Sequence, residues 1–445
     1  SPVVPSSLSP VVAGSPVVGA PVVMVVTMEG SMPPVVTGSP GPVEPWVTVA
    51  VPASPHAAAI ASARAVLWER LGDTGIERSL REVERRDQWA HRSAIVVGVT
   101  GLDPRLDDLI LRLPKVELHL HLEGSIHPEL ALRLARRRGR SLPGMDSGAD
   151  GLREHYRFAS FKDFLRMYIA ISACLSEAED FCEITVALAR ELAAQRVAYA
   201  EVTFTPMTHV ARGVDPVVML AGLAEGRARA QAEHGVELAW VFDIVRCFRD
   251  QSEPTLELAL RGRNDGVIGL GFAGPEAPEW PTAPFADTFM RAKAEGLHSL
   301  PHAGEMAGPA SIWEALELLG AERIGHGVRA VDDPALLEHL VRTQVPLEVC
   351  PTSNLGIGLY PDLAAHPLPQ LLRAGVAVSL ASDDPPMFAT SLVEEYRRCT
   401  AAYGWDAAQL RALAAAAVHH SFLAPGRKAE LLRAQDVVAE TVAVA

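Results

Sequence analysis

His119 and His121 stand two residues apart in KVELHLHL, and a strand's period of two puts both imidazoles on one face. Such a pair can bind a divalent metal, and it can equally be two core or rim histidines. PHAGE adds His302 with Glu305 three residues on, so that a metal ligand and a proton carrier can sit over the same ion. The bland reading is a strand-end His and a capping Glu. His326 lies in IGHG between two glycines that let a large group approach the backbone. Asp383 and Asp384 precede Pro385 and Pro386 in SDDPP, an acidic pair that by itself is often only a turn signal. Each of the four signals closes an apolar run. Together they supply four His and two Asp, of which three His and one Asp make a ligand set that leaves a position for water, with Glu305 beside it as the proton carrier.

Two further motifs read differently. Gly269, Gly271 and Gly274 spell GxGxxG after an apolar run, but PEAPEWPTAP follows where a dinucleotide fingerprint would open a helix. These glycines are expected to leave backbone bare beneath a ligand. Cys350 begins CPTSN; a nucleophilic Cys needs a positioned base, and His326 is better used by a metal site. Cys350 is therefore expected to be a buried strand-end residue, with Ser353 or Asn354 as a polar wall of the pocket.

Residues that converge from such distant positions need a scaffold that gathers strand ends. Eight short apolar runs supply it: KVELHLHL (115–122), VAYAEVTF (197–204), VELAWVFDIV (236–245), GVIGLGF (266–272), GLHSLPHAG (296–304), ERIGHG (322–327), VPLEVCP (345–351) and GVAVSLASD (375–383). Helical patterns such as PELALRLARRR, SEAEDFCEITVALARELAAQ, MLAGLAEGRARAQAEH, ASIWEALELLG and PALLEHLVRT alternate with them. Eight strands interleaved with helices fit a (β/α)8 TIM barrel of the α/β class better than an open sheet, and barrels keep their active sites at the strands' C-terminal ends.

The remaining composition sets limits. Of 445 residues, 49% are apolar and 21% charged, enough for a sizeable core. Forty basic against 54 acidic residues give a net charge of −14, which excludes a bulk basic footprint for nucleic acid. Five scattered cysteines without a CxxC pair fit a reducing compartment. No uninterrupted apolar run reaches about 18 residues and the start lacks a basic signal-peptide region, so a cytoplasmic protein without a membrane partner is expected. Before about residue 60 the composition changes: PVV recurs five times, 12 of the 34 prolines fall within residues 1–55, and the first Lys or Arg is Arg64. Proline removes backbone donors and fixes φ, so residues 1–100 are expected to form a low-complexity, largely disordered extension with a weak helix over 60–95. The barrel is expected over 101–440.

LPKVELHLHLEGS, PHAGE, RIGHG and SLASDDPP, in this order and at these intervals, resemble the adenosine deaminase family of the metal-dependent amidohydrolase superfamily over about residues 110–430. The resemblance implies one Zn2+ per subunit held by His119, His121, His302 and Asp383. It implies Glu305 as the group that protonates purine N1, His326 as the one that orients and deprotonates the attacking water, and Asp384 as the partner of N7. Gly274, in FAGPE, matches a glycine whose N–H reaches N3, and His121 also borders the substrate. Phe161, Phe164 and Leu165, in FKDFL, match a mobile helical lid.

Three positions depart from the familiar family pattern. Glu123 stands where an Asp binds the ribose 5′-hydroxyl, Thr203 where Arg is common, and Gly271 where Asp is common. These look like the branch that deaminates 6-aminodeoxyfutalosine in menaquinone biosynthesis, or like an actinobacterial-type nucleoside deaminase. The expected activity is zinc-dependent hydrolytic deamination of an adenosine-type purine nucleoside, a small-molecule partner, to an inosine-type product and ammonia. The alternative is a 5′-modified adenosine such as 6-aminodeoxyfutalosine. A catalytically silent nucleoside-binding protein is the rival from another class, and the retention of every implied ligand and of Glu305 argues against it. Amide or phosphoester hydrolases that bridge two metals with a carboxylated lysine are a further rival, but no Lys ends a middle strand.

Overall fold

The structure is a computed structural model that describes residues 101–158 and 160–444. The expected N-terminal extension and its weak helix lie outside the described residues.

Each of the eight apolar runs forms a strand: β1 (Lys115–His121), β2 (Val197–Phe204), β3 (Glu237–Val245), β4 (Val267–Ala273), β5 (His298–Ala303), β6 (Ile324–His326), β7 (Leu347–Val349) and β8 (Val378–Leu380). All pair in parallel and in sequence order. The ring closes where Leu120 bridges Asp383 in parallel, with His121 N donating to Asp383 O at 2.9 Å and Asp383 N to His119 O at 3.0 Å. The expected (β/α)8 barrel is what forms, and its closing seam runs through three of the candidate metal ligands, His119, His121 and Asp383.

The strands read as near-continuous apolar runs because helices cover one face and the barrel interior the other. Every residue of β1 is buried, and so are the charged residues set within the runs, Glu117, Glu201, Asp243 and Glu348. Glu117 accepts from Ser382 N at 2.9 Å, which pins the segment leading into Asp383. Around the strands, helices start where the sequence tells them to. Asp103, Asp215 and Asp333 each precede a proline and cap the helices Pro104–Arg112, Pro216–Arg229 and Pro334–Thr343 by accepting a backbone N–H. The carboxylate satisfies an orphan donor, while proline at the first position loses a donor that had no partner anyway. Among the described residues, no helix is long and apolar enough to cross a membrane.

Candidate metal centre and active site

Four histidines and a set of carboxylates meet at the C-terminal mouth of the barrel. His121 Nε2 lies 3.2 Å from His302 Nε2 and 3.3 Å from Asp383 Oδ1, and His119 Nε2 lies 3.7 Å from the same Asp383 oxygen. Ser353 donates to the other Asp383 oxygen at 2.5 Å. Donor atoms of His119, His302 and His326, of His121, Asp243 and His302, of His119, Cys350 and Asp383, and of Glu305, His326 and Asp383 each lie within 4.8 Å of one another. The four groups overlap, so they describe one locus.

These residues fit a cation on chemical grounds. His119 Nε2 is buried without a hydrogen-bond partner, whereas its Nδ1 is 2.8 Å from Glu348 Oε2. A carboxylate on one ring nitrogen takes the proton there and leaves the other with a free lone pair, as on a metal-bound histidine. The charge balance points the same way. Burial works against a charged His121, yet Asp384, Asp383 and Asp243 outweigh it and raise its pKa to about 10, so the site's own carboxylates call for positive charge. Burial likewise opposes Asp383's charge, but His121, His326 and His119 hold it well below the usual range.

The backbone and its glycines are shaped around this cluster. His326 and Asp383 adopt left-handed φ of 62° and 65°. Non-glycine residues pay for such a conformation, and it concentrates where function dictates the direction of a side chain. A Cβ on Gly325 would overlap the His119 ring, and one on Gly124 would overlap the Asp384 carboxylate. The flanking glycine of IGHG thus makes room for a neighbouring ligand.

Behind His119 stands a buried ion network. Glu348 accepts from Arg323 Nε at 2.5 Å, and the other arm of Arg323 reaches Glu201. Burial opposes ionisation of Glu348, but Arg323 and His119 lower its pKa to about 2, so it is a carboxylate at any working pH. Replacing it by Gln keeps the shape and removes the charge that orients His119. Metal affinity should fall by roughly 10- to 100-fold, measured by competition with a chelator of known affinity; unchanged affinity would detach Glu348 from the centre.

Glu305 and His326 face each other across the cluster, with Glu305 Oε1 3.5 Å from His326 Nε2. Burial, then Asp383 and Glu276, push the Glu305 pKa well above the ordinary range, which keeps a proton on it. Its turn is held from outside: Glu276 accepts the N–H groups of Gly304 (2.8 Å), Glu305 (2.9 Å), Met306 (2.7 Å) and Ala307 (3.1 Å), and the Ser311 hydroxyl. Arg246 lies 3.8 Å from Glu276 and donates to the His302 carbonyl. One carboxylate thus ties the β4 loop, which carries Gly274, to the turn that carries Glu305.

A proton chain fixes the tautomer of His326. The Leu368 N–H donates to His366 Nδ1 at 3.1 Å, so a neutral His366 carries its proton on Nε2, 3.2 Å from Asn354 Oδ1. The Asn354 amide then donates through Nδ2 to His326 Nδ1 at 3.2 Å. Burial, with His119 and His121, lowers the His326 pKa to about 4 despite Asp383. The neutral ring therefore presents Nε2–H to the pocket, a donor suited to orienting an oxygen.

The cavity above the cluster has a volume of about 510 Å3. His121, His302, Glu305, His326, Asp383 and Asp384 reach its wall, and Gly274, at φ 94°, lines its side. Phe161, Phe164 and Leu165 line it from the helix Phe161–Ser172, whose N-terminus Ser160 caps through Asp163 N. Asp384 Oδ1 has no hydrogen-bond partner, and burial followed by Asp383 raises its pKa well above normal.

The three positions that depart from the family pattern do not line the cavity. Glu123 is fully buried behind it, accepting from Thr205 N at 3.2 Å and His209 Nε2 at 3.0 Å through Oε1 and from Tyr168 at 3.3 Å through Oε2. Thr203 pairs with His121 across β1 and β2 and does not line the cavity. Gly271 lies opposite Asp243, and the space its missing side chain leaves is taken by the Asp243 carboxylate. Gly269 similarly faces the backbone of His298. Of the three GxGxxG glycines, only Gly274 leaves backbone bare at the cavity. Cys350 is buried at the end of β7 as expected, Ser353 lines the cavity, and Asn354 lies behind it.

The sequence reading passed over Asp243, Glu348, Glu276, His209 and Arg212. Asp243 and Glu348 carried a usable signal, a lone acid inside an apolar strand. Burial raises the Asp243 pKa to about 7, against the pull of His121, and neither carboxylate oxygen has a partner.

Comparison with known proteins agrees with this geometry. The family model described as adenosine deaminase matches residues 114–438. The chain is 40% identical to an aminodeoxyfutalosine deaminase of Streptomyces avermitilis over 75% of its length and 92% of the relative's. It is 41% identical to an adenine deaminase of Rhodospirillum rubrum over 72% of its length and 95% of the relative's. The crystal structure of adenine deaminase from Arthrobacter aurescens superposes with a TM-score of 0.70 at 34% identity, covering 74% of this chain and 99% of that one. With a matching family model over most of its barrel, the chain belongs to the adenosine deaminase family, hydrolases that break carbon–nitrogen bonds.

Proposed function

We propose that the protein deaminates an adenine nucleoside hydrolytically, with zinc held by His119, His121, His302 and Asp383. The observation that carries this reading is the convergence of a cation-demanding cluster, a protonated Glu305 and an Asp384 whose Oδ1 has no hydrogen-bond partner on the floor of one cavity. Zinc in that ligand set supplies a Lewis acid that makes water nucleophilic near neutral pH. Glu305 delivers its proton to purine N1, drawing electron density away from C6 and making that carbon open to attack. His326 orients the attacking oxygen through Nε2–H; the orienting half of the role implied by family resemblance is the half its proton chain supports. Asp384, protonated in its buried setting, faces N7 as a donor, and the Gly274 backbone approaches the other edge of the base. Once the water oxygen has bonded to C6, its remaining O–H proton passes to the 6-amino group, the C6–N bond breaks and ammonia leaves; the carbonyl of an inosine-type product remains, and the other water proton restores Glu305.

The cavity favours a nucleoside over a free base. Its volume of about 510 Å3 falls within the roughly 300–1,000 Å3 of pockets that bury ligands larger than adenine, which has about ten non-hydrogen atoms. The surplus runs past the Phe161–Ser172 helix to Thr208, Arg212 and Phe248. Adenine itself is the second reading, supported by the 41% identity to a relative named adenine deaminase. Ammonia release from adenine, adenosine, 5′-deoxyadenosine, 5′-methylthioadenosine and 6-aminodeoxyfutalosine, compared as kcat/KM, decides. Nucleosides should exceed adenine by at least about tenfold, the 1.4 kcal/mol that one or two ribose contacts provide. A tenfold preference for adenine would establish the second reading, and turnover of none would remove both.

A further inference from the structure

The cavity's cations are its unexplained feature. Its floor is acidic, yet Lys162, Arg166 and Arg212 line its outer parts. Arg166 is largely exposed and meets Asp163 at 3.4 Å. Arg212 differs. It is half-buried just past the helix Pro206–Val210, on the β2 side of the barrel mouth, across the barrel from His326 on β6.

Among the described residues, the other buried arginines meet carboxylates: Arg323 pairs with Glu201 and Glu348, and Arg246 stands beside Glu276. Arg212 has no acid within ion-pair distance. Its two bonds both use Nη2, to the Ser172 carbonyl at 2.9 Å and to His209 Nδ1 at 2.9 Å. A guanidinium has five N–H donors, so three, on Nε and Nη1, are left without a partner among the described residues at a cavity wall.

The groups behind Arg212 are arranged to hold it there. His209 is fully buried, with Nε2 3.0 Å from Glu123 Oε1. Glu123 accepts a hydrogen bond from the N–H of that nitrogen, so Nδ1 is the acceptor that fixes the Arg212 arm. Glu123 is in turn fixed by Thr205 N and the Tyr168 hydroxyl. The neutral imidazole separates the carboxylate from the guanidinium, so the cation is positioned without being neutralised at contact. Burial lowers the Arg212 pKa to about 10, which leaves it charged at neutral pH.

We infer that Arg212, positioned by the Glu123–His209 pair, is a subsite for an anionic group, a carboxylate or a phosphate, carried by the substrate beyond its ribose. The inference rests on the nucleoside reading, because the base must occupy the floor for its substituent to reach the β2 side. It gives Glu123 a role other than direct contact: the residue acts on the 5′ side through the cation it helps to place. An unpartnered guanidinium fork in a partly dehydrated wall matches either anion in charge and in bidentate geometry.

The test uses the full chain loaded with zinc and reads both turnover and binding. Turnover of 6-aminodeoxyfutalosine, whose 5′ arm ends in an arylcarboxylate, is compared with that of its neutral carboxamide, and adenosine 5′-monophosphate with adenosine. Binding of inosine 5′-monophosphate is compared with that of inosine by calorimetry. One anion series should exceed its neutral counterpart by roughly 10- to 100-fold, the worth of one or two charge-assisted hydrogen bonds. A phosphate preference identifies a nucleotide, and a carboxylate preference an acid-bearing nucleoside. Arg212→Met should bring the favoured ratio down to about one, with the change in KM rather than kcat, and Arg212→Lys should restore part of it. Equal values for anion and neutral partner in both series of the wild type overturn the inference without any variant, as does an Arg212→Met protein that keeps the preference. Absence of turnover on every compound would instead remove the deaminase reading, and the calorimetric ratio would still decide on the subsite.

Discussion

Glu305→Gln should lower kcat by roughly 10² to 10⁴, the span of general acid–base catalysis, while zinc content and KM change little. The amide keeps the length and the planar end of the side chain but has no proton to give at N1. The wild-type carboxyl is placed to keep its proton because burial, Asp383 and Glu276 all raise its pKa. The sign of the pH dependence follows. The protonated form is the active one, so wild-type kcat should fall as pH rises through the raised pKa, and the Gln variant should lose that alkaline limb. Steady-state rates across pH, with elemental analysis of the same preparations, check both statements. A Glu305→Gln protein with near-normal kcat would remove Glu305 from the chemistry.

The same residue shows what the sequence could and could not reveal. Glu305 stood out because PHAGE places it three residues from a strand-end histidine, and local spacing is enough to bring those two groups over one point. The barrel was legible for a similar reason. Parallel strands buried on both faces leave apolar runs that need no partner to be recognised, and Asp-Pro pairs mark three helix starts. Glu276 was not legible. It lies 29 positions before Glu305, in a loop with no periodicity, and its meaning depends on four N–H groups gathered from another loop.

Glu123 shows a further limit of the sequence. The sequence placed it correctly next to β1, but not the depth of its side chain or the presence of His209 to receive it. That depth depends on Phe204 and Phe181 packing around the His209 ring at centroid distances of 5.1 Å, contacts between segments remote in sequence. Gly271 shows the same limit. A missing side chain suggests open space, but in a close-packed interior the space is filled by whichever neighbour faces it, here Asp243.

His302→Ala should leave the chain folded but short of metal and without measurable turnover. His302 is one of four proposed ligands, and its Nε2 is 3.2 Å from that of His121, a separation suited to two nitrogens on one ion. A quarter share of the roughly 10–16 kcal/mol of a four-ligand zinc site is about 3 kcal/mol, more than a hundredfold in affinity. Loss of the ion should also be felt by the protein's own charges, because Asp383, Asp384, Asp243 and Glu305 then face one another with only histidines between them. Protons must replace the metal's charge, so the depleted variant should gain stability relative to its zinc-loaded parent as pH falls through about 10, where His121 takes its proton, and through about 7, where Asp243 does. Elemental analysis should find one equivalent of zinc per chain in the wild type and a small fraction of that in the variant. Chelation of the wild type followed by added zinc should abolish and then restore turnover. Two equivalents per wild-type chain, or full activity after exhaustive chelation, would overturn the single-ion site, because three His and one Asp make one ligand set with one open position.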